Sequence, residues 1–505
     1  MCGFRQYGIR AEGGFAFRNR ADDCVGTGRM GLALQREYQE QLRLVQEEIG
    51  FRYIRGHGLF CDDMAIYQEY TDESGERQAE YNFTYLDMVM DAYRELSLRP
   101  FLELGFMPEK LASGSQTVFA WKGNVTPPKS YEDWGKLVRA TLRHLMERYG
   151  AEEVCSWPIE VWNEPNLDGF WKDADMDEYF RLFQVTFEAV KTVDPRFRVG
   201  GPALCGIRDQ EWLSAFLEFC RKEKIPLDFA TRHHYCIEAP VYEGRYGYCE
   251  LRDPDESLKE IHASRKILDS FAEYKGLEFH LTEFNTSYSS RTPVHDTNRN
   301  AAYIAYLLSR LGEEYDSYSY WTFGDIFEES GVPFTPFHGG FGLVANGGIP
   351  KPTFWTFQFY KQLKGNCVHF SEEAVVVRRE DGSYCGVAWN LPMKSGSDTL
   401  HLRFDFPARQ EREYCLLTKL VDEAHGNPLK LWHDMGEPAT LTGGQKKLLR
   451  QAAAPYLSSR RLEPENAEVQ AEIRLDRHAV LLFELFEVST ESDRGYSYQK
   501  AARFP

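Results

Sequence analysis

Ile159-Glu160-Val161-Trp162-Asn163-Glu164-Pro165 is a compact β-type run that ends in a polar pair and a proline. The proline forces the chain to turn and leaves the Asn-Glu pair at the strand's carboxyl end. The same plan repeats on either side. Further strand candidates lie at Cys24–Gly26, Phe51–Arg55, Pro100–Gly105, Arg198–Gly201, Phe229–His233, Glu278–Thr282 and Ser317–Thr322, eight in all. Several run out into polar or aromatic groups: Arg55-Gly56-His57, His233-His234-Tyr235, Glu283 and Trp321. Between them stand helical patterns. Tyr38, Leu42, Val45 and Ile49 follow helical spacing, as do Leu182, Val185, Ala189 and Val190. Ser130 to Asp133 reads as a capping box that opens a helix ending near Gly150.

Eight strands, each followed by a helix, make a closed parallel barrel, and barrel enzymes place their chemistry at carboxyl strand ends. A doubly wound open sheet is the alternative, but no Gly-x-Gly-x-x-Gly or phosphate loop is there to anchor one. The expected fold is therefore α/β, with a (β/α)8 TIM barrel over residues 19–364. Beyond Lys364 the pattern changes to strands at Val375–Val377, Gly386–Trp389, Leu400–Phe406, Glu413–Leu420 and Ala479–Phe486, separated by polar turns. This predicts an antiparallel, β-sandwich-like accessory domain over 365–505, with a helical interruption near Gly444–Ala454 and with residues 1–18 available to complete it. The polar end, Ser489–Pro505, is expected to be mobile.

The chain has 505 residues, 59 Lys+Arg against 77 Asp+Glu, and a formal charge of −18. An acidic excess argues against nucleic acid and anionic membrane as partners, since both reward basic patches. Met1 to Asn19 carries Arg5, Arg10, Glu12 and Arg18 without an apolar segment, so no secretory signal is read there. No stretch approaches the ~18 uncharged apolar residues of a membrane helix. Eleven cysteines, scattered from Cys2 to Cys415 without a Cys-x-x-Cys, predict free thiols in a reducing cytoplasm. The 34 Phe, 28 Tyr and 10 Trp exceed what packing alone would ask for.

Glu164 and Glu283 end the fourth and seventh strand candidates. A lone Glu on a strand is usually a surface group or half of an ion pair; two at facing strand ends are a different matter. Glycoside hydrolysis needs one carboxyl group to protonate the leaving oxygen and another to attack or to activate water. A gap of about 5–5.5 Å implies a retaining double displacement, and about 6.5–9.5 Å an inverting one.

At these residues the chain resembles glycoside hydrolase family 39, with its bacterial β-xylosidases, over nearly its whole length. The resemblance rests on Cys24-Val25-Gly26-Thr27-Gly28-Arg29, Arg55-Gly56-His57-Gly58-Leu59, Gly105-Phe106-Met107-Pro108 and Gly123-Asn124-Val125-Thr126-Pro127-Pro128. It continues through Trp162-Asn163-Glu164-Pro165-Asn166-Leu167, Thr282-Glu283-Phe284-Asn285-Thr286-Ser287-Tyr288 and Ser319-Tyr320-Trp321-Thr322-Phe323, and into Asp422-Glu423-Ala424-His425-Gly426-Asn427-Pro428. Phe284 stands where relatives carry Tyr. The resemblance implies Glu164 as general acid/base and Glu283 as nucleophile. It implies further that Asn163 bonds the sugar 2-hydroxyl, that His57, His233 and Tyr235 line the innermost sugar site, and that Trp321 is its aromatic floor. Glu329 would bond sugar hydroxyls, with Glu328 as the rival match, and Phe119 would wall the pocket.

His234 is expected on the other side of its strand, in a structural role. Asp62-Asp63 hints at a metal site, but no ligand spacing supports one. Neither metal nor cofactor is needed. The implied activity is a retaining exo-β-xylosidase acting on small xylo-oligosaccharides, cytoplasmic and homo-oligomeric, as a tetramer or dimer. The alternatives are another retaining glycosidase on this scaffold (an α-L-iduronidase, β-glucosidase or β-galactosidase) or a catalytically silent sugar-binding protein. A uronate substrate would need a cation near the sugar carboxylate.

Overall fold

The computed structural model describes residues 3–10, 13–393, 399–488 and 495–503. Eight parallel strands close into a barrel: β1 (Cys24–Arg29), β2 (Tyr53–His57), β3 (Arg99–Leu104), β4 (Pro158–Val161), β5 (Arg198–Leu204), β6 (Phe229–Tyr235), β7 (Glu278–Asn285) and β8 (Ser317–Tyr320). The surrounding helices are α1 (Arg36–Glu48), α2 (Thr84–Glu95), α3 (Tyr131–Tyr149), α4 (Met176–Val193), α5 (Asp209–Lys222), α6 (Pro254–Ser270), α7 (Asn298–Leu311) and α8 (Pro352–Lys361). The stripe read at Tyr38, Leu42 and Val45 is the buried face of α1. Ser130 caps α3, its side chain accepting from the Asp133 N–H.

Side chains of a barrel strand alternate between interior and helix side. At the amino end the interior is plugged by Cys24, Phe101 and Phe229. Above this plug the inward positions of β2, β3 and β4 carry Arg55, Glu103 and Glu160, all fully buried. Gly26 is the inward residue of β1, and a Cβ there would lie 2.4 Å from Cε3 of Trp321. Its lack of a side chain is what lets the indole lie across the barrel mouth.

Two further sheets follow. The larger runs Phe15–Ala16, Asn366–Phe370, Ala374–Arg378, Tyr384–Trp389, Val480–Glu487, Tyr414–Val421, Tyr456–Leu462 in spatial order. The smaller runs Gly3–Gly8, Leu400–Pro407, Glu468–Leu475. Alternation divides the larger sheet's side chains between two cores. Val375, Val377, Val387 and Leu482 join the core that includes the barrel. Ala374, Val376, Ala388 and Phe483 pack with Leu402, Phe404 and Phe406 of the smaller sheet.

The local pattern misses one pairing. Gly3–Gly8 runs parallel to Leu400–Pro407, so the smaller sheet is mixed rather than antiparallel. The helical interruption is Gly443–Ala452, and a second short helix, Pro428–Asp434, precedes it. In the expected mobile end, residues 489–494 and 504–505 lie outside the described residues, and Tyr498–Arg503 is helical.

Candidate active site

The turn after β4 is strained by design of its sequence. Trp162 and Glu164 both adopt left-handed backbone, with φ of 70° and 46°. Each such non-glycine residue costs about 1–3 kcal/mol and persists only where the surroundings over-determine it. Here they do. The Trp162 indole N–H donates to Phe170 O at 2.8 Å, and the Glu164 N–H to Ala203 O at 3.0 Å. Asn166 ties the same turn to Cys205 and Ile207.

On the facing strand a bulge does the positioning. Leu281 and Glu283 pair with the consecutive residues Arg232 and His233, so Thr282 is the extra residue. A bulge re-aims side chains, and here two successive ones turn inward. Thr282 donates to Glu160 at 2.8 Å, and Glu283 accepts from Arg55 Nη1 at 2.7 Å.

Both oxygens of Glu283 face donors, since the Tyr235 hydroxyl reaches Oε2 at 2.6 Å. Glu164 has different company. Its Oε1 lies 2.8 Å from His233 Nδ1. Burial, and then the Glu283 charge, push its carboxyl well above the usual range. Burial, followed by Arg55, His57 and Arg232, pushes His233 well below its ordinary value, so the imidazole beside Glu164 is neutral. An oxygen of Glu164, a ring nitrogen of His233 and an oxygen of Glu283 all lie within 4.8 Å of one another.

Arg55 was quoted in the sequence for its neighbours, yet it is the hub of the site. It is wholly buried and donates from Nε to Glu160 at 2.6 Å, from Nη1 to Glu283 and from Nη2 to Asn163 Oδ1 at 2.9 Å. Nη2 also lies 2.9 Å from Glu103, whose Oε2 meets His57 Nδ1 at 2.6 Å. Glu103 and Glu160 also escaped the sequence reading. A charged residue on a strand of a closed barrel is the signal that could have found all three, because such a position has no route to solvent.

A cavity of about 870 Å³ opens over these groups. It is lined by Glu164, Glu283, Asn163 and Tyr235, and by His57, Phe119, Trp321 and Glu329. His233 stands behind Glu164 rather than in the wall. The Trp321 ring lies 4.7 Å from that of His57 and packs edge-on against Phe327. Burial, then the charges of Glu283 and Glu164, raise the Glu329 carboxyl well above its ordinary value. Its rival Glu328 points elsewhere, to Arg29 Nη2 at 2.6 Å. Asp63 pairs with Arg29, and Asp62 accepts from the Glu109 N–H at 3.2 Å, so both are used structurally. Phe284 packs edge-on against Tyr318 and Tyr320, away from the cavity. His234 does point away from the two glutamates, but it lines the same cavity.

Glu164, His233 and Glu283 are also the one group of described residues placed closely enough to share a metal ion. Arg55 already sets a fixed cation against Glu283, and a dication there would face that guanidinium at close range. The donor set suits proton transfer better than metal ligation.

Two glutamates at the ends of the fourth and seventh barrel strands, one proton-holding and one clamped by donors, place the chain among barrel glycosidases. A β-xylosidase of Geobacillus stearothermophilus is 46% identical over 488 residues, 96% of each chain. Another from Caldicellulosiruptor saccharolyticus is 36% identical over 440 residues, 85% of this chain and 87% of that one. The crystal structure of a monomeric β-xylosidase from Caulobacter crescentus CB15 superposes with a TM-score of 0.87 at 31% identity, covering 97% of this chain and all of that one. The model of glycosyl hydrolases family 39 matches residues 10–470, and the chain belongs to that family.

Proposed function

We propose that the protein is a retaining exo-β-xylosidase that removes terminal non-reducing β-D-xylose from xylo-oligosaccharides. One observation carries the reading: oxygens of Glu164 and Glu283 approach within 4.8 Å across the barrel mouth. That approach suits the roughly 5–5.5 Å separation of retaining pairs better than the ~6.5–9.5 Å that admits a water between inverting ones.

Glu164, kept protonated by burial, gives its proton to the glycosidic oxygen as Glu283 attacks the anomeric carbon. The alcohol leaves, and the sugar stays bonded to Glu283. Glu164, now a carboxylate, takes a proton from water; that water attacks the same carbon and frees Glu283. Asn163 faces the 2-hydroxyl, Trp321 floors the ring, Glu329 and His57 bond hydroxyls, Phe119 closes the wall, and Tyr235 and His233 hold the two glutamates. Xylose is favoured over a uronate because, among the described residues, the wall near Trp321 offers Glu329 and no spare cation. Arg55 beneath it is engaged by Glu103, Glu160 and Glu283.

The proposal takes residues 19–364 as the catalytic domain and 365–505, with 1–18, as the accessory domain. It also includes a cytoplasmic location, supported by ten free cysteines among the described residues, and the homo-oligomer that family resemblance implies. No helix among the described residues is long and apolar enough to cross a membrane.

A panel of aryl β-xyloside, β-glucoside, β-galactoside, α-arabinoside and α-iduronide tests the reading, with product configuration followed by proton NMR. The highest kcat/KM is expected on the xyloside, with β-xylose as first product. A better substrate elsewhere in the panel would replace xylose, an α-anomer formed first would replace retention, and silence on every member would leave a sugar-binding protein.

A further inference from the structure

One buried cation takes no part in the reaction derived above. Lys351 stands immediately before α8, and its side chain is fully buried. Nζ lies 2.6 Å from Asp296 Oδ1 and 2.5 Å from Asp325 Oδ2, and it donates to Gly340 O at 2.9 Å. Asp296 belongs to the loop after β7 and Asp325 to the loop after β8. Both carboxylates are buried too, and each turns its second oxygen to the same stretch of chain. Asp296 accepts from the Gly339 N–H and Asp325 from the Gly342 N–H, both at 2.7 Å. Burial works against the lysine's charge, yet the two carboxylates outweigh it and raise Nζ above its ordinary value. A buried ion cluster of this kind adds little net stability, because desolvation offsets most of the attraction. What it fixes is geometry.

The loop between Asp325 and Gly339 is what the cluster holds. Its first foot is Asp325, whose N–H donates to Val344 O at 2.8 Å. Its second foot is Gly339-Gly340-Phe341-Gly342, drawn in so tightly that side chains are excluded. A Cβ on Gly339 would lie 2.4 Å from the Thr292 carbonyl carbon, and one on Gly340 would lie 2.4 Å from Asp325 Oδ1. Lys351 reaches both feet at once. Between them the chain is loosely held, with Val332 73% and Phe334 69% exposed. Glu329 sits in that stretch. Its backbone oxygen accepts from the Ala120 N–H at 2.8 Å, but among the described residues no protein group hydrogen-bonds its carboxyl. The loop, and not a neighbouring donor, therefore aims the carboxyl that faces the sugar.

We propose that Lys351 is a positioning residue of the glycosidase reaction: by tying both feet of the 326–338 loop, it sets where the Glu329 carboxyl meets the sugar hydroxyls. The inference rests on the glycosidase reading above, and its test separates the two. The cation bridge is removed in the triple variant Lys351→Met/Asp296→Asn/Asp325→Asn. Its amide oxygens still accept from Gly339 and Gly342, and no buried charge is left unpaired. Gly340→Ala is the milder companion, its methyl displacing Asp325 while every charge stays in place. Each is assayed on an aryl β-xyloside, with Glu329 present and again with Glu329→Ala. With Glu329 present, the triple variant should lose about tenfold in kcat/KM and Gly340→Ala about threefold, the scale of one weakened hydrogen bond. In the Glu329→Ala background both changes should cost less than about twofold, since no carboxyl is left to misplace. A lysine that only holds the fold together would lower the melting temperature and reduce activity equally in both backgrounds, and that result overturns the proposal. Wild-type kcat/KM in both variants overturns it as well. If the triple variant does not fold, Gly340→Ala decides alone. A wild-type enzyme inert toward the whole aryl glycoside panel would overturn the glycosidase reading instead.

Discussion

The barrel mouth and the core between the two carboxyl-terminal sheets obey one alternation rule with opposite contents. Between the sheets, inward positions are apolar, and the Phe404 and Phe483 rings meet at 5.3 Å. In the barrel, inward positions above the apolar plug gather a guanidinium among Glu103, Glu160 and Glu283. The first arrangement gains free energy from burial. The second gains little net, because desolvating four charges offsets much of their attraction. Its return is chemical: it clamps Glu283 and leaves Glu164, a few ångströms away, holding its proton.

Breaking the charged region should strike activity first. Glu283→Gly is expected to lose roughly 10⁴-fold or more in kcat. Azide should restore part of it as a glycosyl azide of inverted anomeric configuration. Substantial activity without azide would remove Glu283 as nucleophile. Breaking the apolar region should do the reverse. Phe483→Ala should cost about 3–5 kcal/mol of stability by denaturant unfolding, with kcat unchanged in the folded enzyme. A fall in kcat with no stability loss would dissolve the contrast.

The smallest effect sharpens it. Unfolded Glu164 releases its proton above about pH 4.3, whereas the native group holds it to a higher pH. Between those values the native state binds more protons than the unfolded one, so wild-type stability falls as pH rises. Glu164→Gln carries no such proton. Its melting temperature should therefore gain on wild type as pH rises from 5 to 7. Parallel pH profiles would show that burial does not raise this carboxyl.

Much of this was legible in the residues. Eight strand–helix repeats and the polar strand ends read out the barrel, because both periods are local. The ends also placed Trp321 and the two glutamates on one rim. Arg55 was visible, but its role was not, since a strand does not say which carboxylates face it until the barrel closes. The Thr282 bulge was hidden for the same reason: it exists only relative to β6. His234 was read by side, correctly, but side alone does not tell whether a cavity bends around the strand to reach it. Most of the aromatic excess proved to be packing between helices, as with Phe180, Phe183 and Phe216. Only a few rings, Trp321 foremost, stand over the site.

The parallel pairing of Gly3–Gly8 with Leu400–Pro407 has a consequence in time. Gln6 bonds Asp405 across 399 residues. A ribosome adding about 5–20 residues per second needs roughly 20–80 s to deliver the second strand after the first. Through that interval the first segment waits without its neighbour, and the barrel between them has long enough to close alone. Of the described strands, Gly3–Gly8 waits longest for its neighbour.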